Sequence, residues 1–119
     1  MKTKLLALLS LTTALFVSGC GTHSELLDPS MKNSIVVEET YERDLDDGRL
    51  EVTAKIRNLE NRRIEVQINC VFTDRNRVSI GDETPFQSLI LTENATESVK
   101  FTSMNKQAKK YNVRIRQVR

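Results

Sequence analysis

"RLEVTAKIRNLENRRIEVQINCVFTD", residues 49–74, decides the fold. In its first half Leu50, Val52, Ala54 and Ile56 fall on one parity, with Glu51, Thr53, Lys55 and Arg57 on the other. In its second half Ile64, Val66, Ile68, Cys70 and Phe72 repeat the pattern. Successive side chains of a strand point to opposite faces, so a period of two with one apolar parity describes two half-buried strands. Paired through "NLENR", their apolar sets would match as Ile56–Ile64, Ala54–Val66 and Val52–Ile68, with Lys55 opposite Glu65. A slip of one residue would turn charges inward, so parity pins the register.

The same alternation extends outward from this stretch. "SIVVEETYE" (34–42) reads as a strand before the turn at Asp47-Gly48, where glycine supplies the positive φ of a tight hairpin. "DRNR" (74–77) is a turn, and Gly81 and Pro85 bracket a loop. "FQSLILT" (86–92) and "TESVKFTS" (96–103) are strands around "ENA". "MNKQAKK" (104–110) allows a helical turn or a crossover. "YNVRIRQV" (111–118) is the last strand, Tyr111, Val113 and Ile115 inward and Asn112, Arg114 and Arg116 outward. Six or seven short strands and hardly any helical periodicity predict an all-β fold, an Ig-like two-sheet antiparallel sandwich over residues 34–119.

The amino terminus carries a different signal. Lys2 and Lys4 precede "LLALLSLTTALFV" (5–17), an uncharged run of 13 residues, too short for the roughly 20 that a membrane-spanning helix needs. A basic start, a short apolar run and small residues predict a cleaved signal peptide over 1–19. Val17-Ser18-Gly19-Cys20 resembles the lipobox of bacterial lipoproteins. That resemblance implies cleavage between Gly19 and Cys20, a diacylglyceryl thioether on the Cys20 sulfur, and acylation such as palmitate on the new amino terminus. Two or three acyl chains make a durable anchor, where one is marginal. Gly21, in place of the aspartate that favours inner-membrane retention in Gram-negative lipoproteins, implies the outer membrane, periplasmic side. "GTHSELLDPSMKN" (21–33) reads as a flexible tether of roughly 20 Å, stretching to about 40 Å.

The chain of 119 residues has 18 basic and 16 acidic residues, and removal of Lys2 and Lys4 brings them to balance. A neutral, exported domain excludes nucleic acid as a partner. Residues 25–51 hold nine acids against three bases, and residues 100–119 hold seven bases and no acid. Two readings follow. Either these segments neutralise one another as neighbouring strands, or Lys109, Lys110, Arg114 and Arg116 form a binding face for an anionic partner. With Cys20 lipidated, Cys70 has no partner and belongs to the apolar parity as a buried hydrophobe.

No catalytic constellation can be assembled. His23, the one histidine, falls in the tether; Asp46 and Asp47 serve a turn; no Cys/His cluster offers a metal site and no Gly-rich loop a phosphate site. Asn58 and Asp74, at strand ends, read as turn-forming side chains. The expectation is a non-enzymatic protein without cofactor or metal.

From Val52 to Arg116 the chain resembles the YcfL family of small bacterial lipoproteins, in Asn58 ending one strand, Phe72 with Asp74 ending the next, Phe86 before "SLIL", and Ala108 before "YNVRIR". The family's glycine after the Asp turn is missing from "DRNRV", and its tryptophans are absent. The resemblance implies an Ig-like sandwich and a lipoprotein without an assigned activity. Three roles fit: an interaction module for another envelope protein, a binder of lipopolysaccharide or peptidoglycan through the basic last strand, or an inhibitor of a wall-degrading enzyme through a protruding loop at 75–85.

Overall fold

A computed structural model describes residues 23–118. The signal segment, Gly19 and Cys20 lie outside the described residues. Eight strands are present: β1 (Ser24–Leu26), β2 (Ile35–Asp44), β3 (Leu50–Asn58), β4 (Ile64–Thr73), β5 (Ser79–Glu83), β6 (Gln87–Leu91), β7 (Thr96–Thr102) and β8 (Lys110–Gln117), with one 3-10 turn at Pro29–Met31. They form two sheets, β2-β3-β7 and β1-β8-β4, the latter carrying β5 and β6 along the far edge of β4. The architecture is the all-β two-sheet sandwich that the alternation predicts.

The inward parities meet between the sheets. Val52, Ala54 and Ile56 of β3 face Val66, Ile68, Cys70 and Phe72 of β4 and Val113 and Ile115 of β8, all shut off from solvent. Each large apolar side chain buried here stabilises the fold by about 1.5–3 kcal/mol. The β2–β3 hairpin turns at Asp47-Gly48 as expected, with Gly48 at φ +91° and its N–H donating to the Leu45 carbonyl at 2.9 Å.

Four expectations are corrected. First, β3 and β4 do not pair. β3 lies between β2 and β7, and β4 lies in the other sheet. Residues that would match across a hairpin instead sit in opposite sheets around one shared core, and Lys55 meets Glu39 at 3.2 Å rather than Glu65. Asn58 fixes this crossing. Its buried amide donates to the carbonyls of Arg62 (2.7 Å), Thr92 (3.0 Å) and Leu91 (3.2 Å), and its Oδ1 accepts the Glu60 N–H at 2.9 Å. Second, β1 pairs in parallel with β8, Ser24 opposite Val113, so the sheets are not wholly antiparallel and residues 24–31 are folded rather than a tether. Third, Ser79–Glu83 is strand β5 against the end of β4, so 75–85 is not one protruding loop. Pro85, which has no N–H to give, separates β5 from β6 along the same edge. Fourth, the acidic and basic segments are mostly in different sheets. The acids of β2 face β3, Glu39 to Lys55 and Glu38 to Arg57; the contacts between the two segments include Glu25 beside Arg114, Asp28 accepting the Gln117 N–H at 2.6 Å, and Lys106 near Asp47.

The turn after β4 works as an Asx turn. Asp74 Oδ1 accepts the N–H groups of Asn76 (2.8 Å) and Val78 (2.9 Å). Arg77 takes the left-handed conformation there, φ 63°, where glycine would be at ease. Between β7 and β8, residues 103–109 close that end of the sandwich. Asp82, buried, accepts the N–H groups of Met104 (2.8 Å) and Asn105 (3.1 Å) on Oδ2. Among the described residues no helix is long and apolar enough to cross a membrane.

Candidate functional site

The outer face of the β1–β8–β4 sheet carries Arg114 and Arg116. Their position follows from parity: Tyr111, Val113 and Ile115 are buried, so the even residues of β8 point away from the core. Register then builds rows across the strands. One runs Arg116–Gln67–Ser88, the next Glu25–Arg114–Asn69.

Phe86 completes the face. It lies in the interruption between β5 and β6, and the Arg116 guanidinium sits 3.7 Å from its ring centroid, with Arg114 at 5.8 Å. Arg116 Nε donates to Gln67 Oε1 at 2.8 Å. A guanidinium held over a ring and tied by Nε has its position restrained while Nη1 and Nη2 are not used by that bond. That leaves the pair for bidentate capture of a carboxylate or phosphate. The stacking itself contributes about 0.5–1 kcal/mol at an exposed position.

Acids are interleaved with these bases. Glu83 stands 3.8 Å from Arg114, a contact worth little at the surface. Glu25 accepts from Asn112 Nδ2 at 2.8 Å. Asn69 is buried beneath this layer although its parity points outward; its Nδ2 donates to the Thr84 carbonyl at 3.1 Å, and its Oδ1 has no protein partner among the described residues. Lys110 shares the outward parity of Arg114 and Arg116, but it and Lys109 stand at the far end of the strand. They begin β8 beside Thr73, about 20 Å along the strand from Arg116. The candidate face is therefore split in two.

Other groups are placed as follows. Burial pushes the Cys70 thiol up to about 12, which leaves it protonated and unreactive inside the core. His23 is not in free linker: its ring meets Tyr111 edge-on at 5.1 Å, and its Nδ1 lies 3.5 Å from Arg77 Nη2. The Tyr111 hydroxyl donates to Thr40 Oγ1 at 2.9 Å across the sheets. Among the described residues no three of His, Cys, Asp and Glu converge on a metal site. An open groove of about 270 Å³ on the other sheet is lined by Tyr41, Glu42, Arg43, Glu51, Thr53 and Lys100. Phe86 joins the arginines from outside the expected face; an aromatic residue between two strand patterns is the only mark it leaves in the sequence.

The model of one family, described as a protein of unknown function (DUF1425), matches residues 23–117. The chain belongs to the DUF1425 family. The matched stretch takes in β1, so the first strand is part of the DUF1425 domain. A DUF1425 family member from Shewanella sp. pv-4 has a similar structure, with 20% identity, a TM-score of 0.64, and coverage of 71% of this chain and 78% of that one. Campylobacter jejuni cj0090 is similar at 14% identity and a TM-score of 0.67, over 82% of this chain and 100% of that one. At these identities the likeness is one of fold. No functionally curated protein matches the chain. None of these likenesses indicates an enzymatic family.

Proposed function

We propose that this DUF1425 chain is a lipid-anchored envelope module of the YcfL-like kind. In this reading Cys20 holds it at the periplasmic side of the outer membrane, and the outer face of β8 and β4 binds another envelope protein without catalysis. The observation that carries the reading is the Arg116 guanidinium fixed between Phe86 and Gln67. A side chain already restrained loses little freedom on binding, which favours recognition of a partner's carboxylate. β8 is flanked by β1 and β4, so its main chain is already used and recognition falls to side chains rather than to strand addition.

The alternative is an anionic polymer such as lipopolysaccharide or peptidoglycan. A polymer of one charge would favour an unbroken basic stripe, whereas Glu25 and Glu83 alternate with the arginines here. Mixed charge favours a protein surface of complementary pattern. The test is a photo-crosslinking side chain at Ser88, across Gln67 from Arg116, in living cells. One discrete protein adduct, lost in Arg116→Ala, is expected. Diffuse or glycan-bearing adducts would replace this reading with the polymer binder. For the anchor, Cys20→Ala is expected to abolish palmitate labelling, and continued labelling would refute it.

A further inference from the structure

We propose that the end of the sandwich formed by the β4–β5 turn and the start of β8 rests on the anionic phospholipid surface that holds the chain, a proposal that depends on Cys20 being the lipidated residue. The domain has hardly any slack. His23 is already fixed, its carbonyl accepting the Val113 N–H at 2.9 Å and its ring against Tyr111. Cys20 to His23 is three residue steps, about 11 Å when fully extended. The headgroup layer of one leaflet is itself about 5–8 Å thick. A thioether-linked lipid on Cys20 therefore brings the His23 end of the fold to the headgroups.

Strand direction selects which residues arrive there. β1 runs parallel to β8 with Ser24 opposite Val113, so the start of β1 lies toward the Lys110 end of β8. Thr73 at the end of β4 pairs with Lys110, and its carbonyl accepts the Lys109 N–H at 2.9 Å, which places the 74–78 turn beside both lysines. Arg75 and Arg77 are exposed on that turn. The turn's own acid, Asp74, gives Oδ1 to the backbone N–H groups of Asn76 and Val78 and sets one negative charge against the four bases. Asp44, Asp46 and Asp47 share this end but belong to the β2–β3 tip of the other sheet, where Arg49 and Lys106 face Asp47. Four bases thus form a corner on the β4–β8 side. Two apolar side chains stand out at the same end, Val78 at 58% and Met104 at 77% exposure. Each lysine or arginine near an anionic surface biases the docked population about fivefold.

The experiment uses the full mature lipoprotein in phosphatidylethanolamine–phosphatidylglycerol vesicles that contain a headgroup-attached quencher. A fluorophore is placed by Val78→Cys, or by Glu93→Cys at the opposite end; buried Cys70 leaves the new thiol the reactive one. The expected result is quenching several-fold stronger at position 78 than at 93. In R75Q/R77Q/K109Q/K110Q that contrast should fall several-fold while palmitate labelling and vesicle association persist. Equal quenching at the two positions in protein that is labelled and vesicle-bound would overturn the docking and leave the anchor standing. Unchanged contrast in the charge variant would overturn the electrostatic attraction. Absence of palmitate label would overturn the anchor, and the docking with it.

Discussion

Asn58→Ala should destabilise the domain far more than removal of a strand-end polar residue ordinarily does. The side chain is fully buried, and its amide and carbonyl touch four backbone groups in the loops that join the two sheets. Three carbonyls share two N–H groups, so roughly three hydrogen bonds are lost at about 1 kcal/mol each, with a further cost for every group left dry. A loss of about 3–4 kcal/mol is a large part of the 5–15 kcal/mol on which a domain of this size stands. Asn58→Asp keeps the shape yet points an oxygen at the three carbonyls, and it should cost more than Asn58→Ala at neutral pH. Its deficit relative to wild type should shrink as pH falls through the carboxyl range, since a protonated acid can donate once. Urea unfolding followed by circular dichroism reads both variants, with a midpoint shift of roughly 1–3 M for Asn58→Ala at ordinary slopes. An Asn58→Ala unfolding free energy within about 1 kcal/mol of wild type, or an aspartate variant more stable than the alanine variant at neutral pH, would refute the hub.

Three further outcomes are expected. Because burial raises the Cys70 thiol from 9.0 to about 12, the fold favours the protonated form. Its contribution is whole below the unfolded value and is lost on going up through the folded one, at about 1.4 kcal/mol per pH unit. Denaturation in mildly and then strongly alkaline buffer should therefore show a flatter loss for Cys70→Ala than for wild type. Asp82→Ala removes two charge-assisted bonds to the 103–109 segment; a loss of about 3 kcal/mol in unfolding free energy, read by urea, is expected, with hydrogen exchange at Met104 and Asn105 accelerated. Gly48→Ala combines φ +91° with a Cβ 3.3 Å from Lys106 Cδ, and should lower thermal stability by about 1–2 kcal/mol.

The strands with one buried face were legible because parity alone marks them: β3, β4 and β8 each put every second residue into the core. Their partners were not legible. In a sandwich the inward faces of both sheets meet, so matched apolar parities fit a hairpin and a cross-core contact equally well. One residue carried a signal that the turn-forming reading did not use. Asn58 continues the inward parity of Leu50, Val52, Ala54 and Ile56, and a polar side chain at a buried position demands partners, which the 59–63 loop and the Leu91 and Thr92 carbonyls supply. β1 was missed because "SEL" is short and polar, and its pairing with β8 depends on a register that no local pattern encodes. β5 was missed because Gly81 falls inside it and Pro85 follows it, and both read as loop signals. The arginine platform was half legible: parity put Arg114 and Arg116 outward, but Phe86 reaches them only through the interruption at Pro85.

Placing Lys110 and Arg116 on one strand ties the two proposals together by geometry. β8 is held on both sides by β1 and β4, so its length acts as a fixed spacer between its ends. If Lys109 and Lys110 rest on headgroups, Arg116 stands about 20 Å along the strand from them. A strand tilted from the membrane normal would bring it nearer, never farther. A partner bound at Arg116 must then present its carboxylate within that height of the bilayer, which suits another membrane-attached protein better than one diffusing through the periplasm. Lengthening the segment between Cys20 and His23 with a flexible insert separates the possibilities. A membrane-attached partner should lose its Ser88 crosslink as the domain lifts away, whereas a freely diffusing partner should keep it.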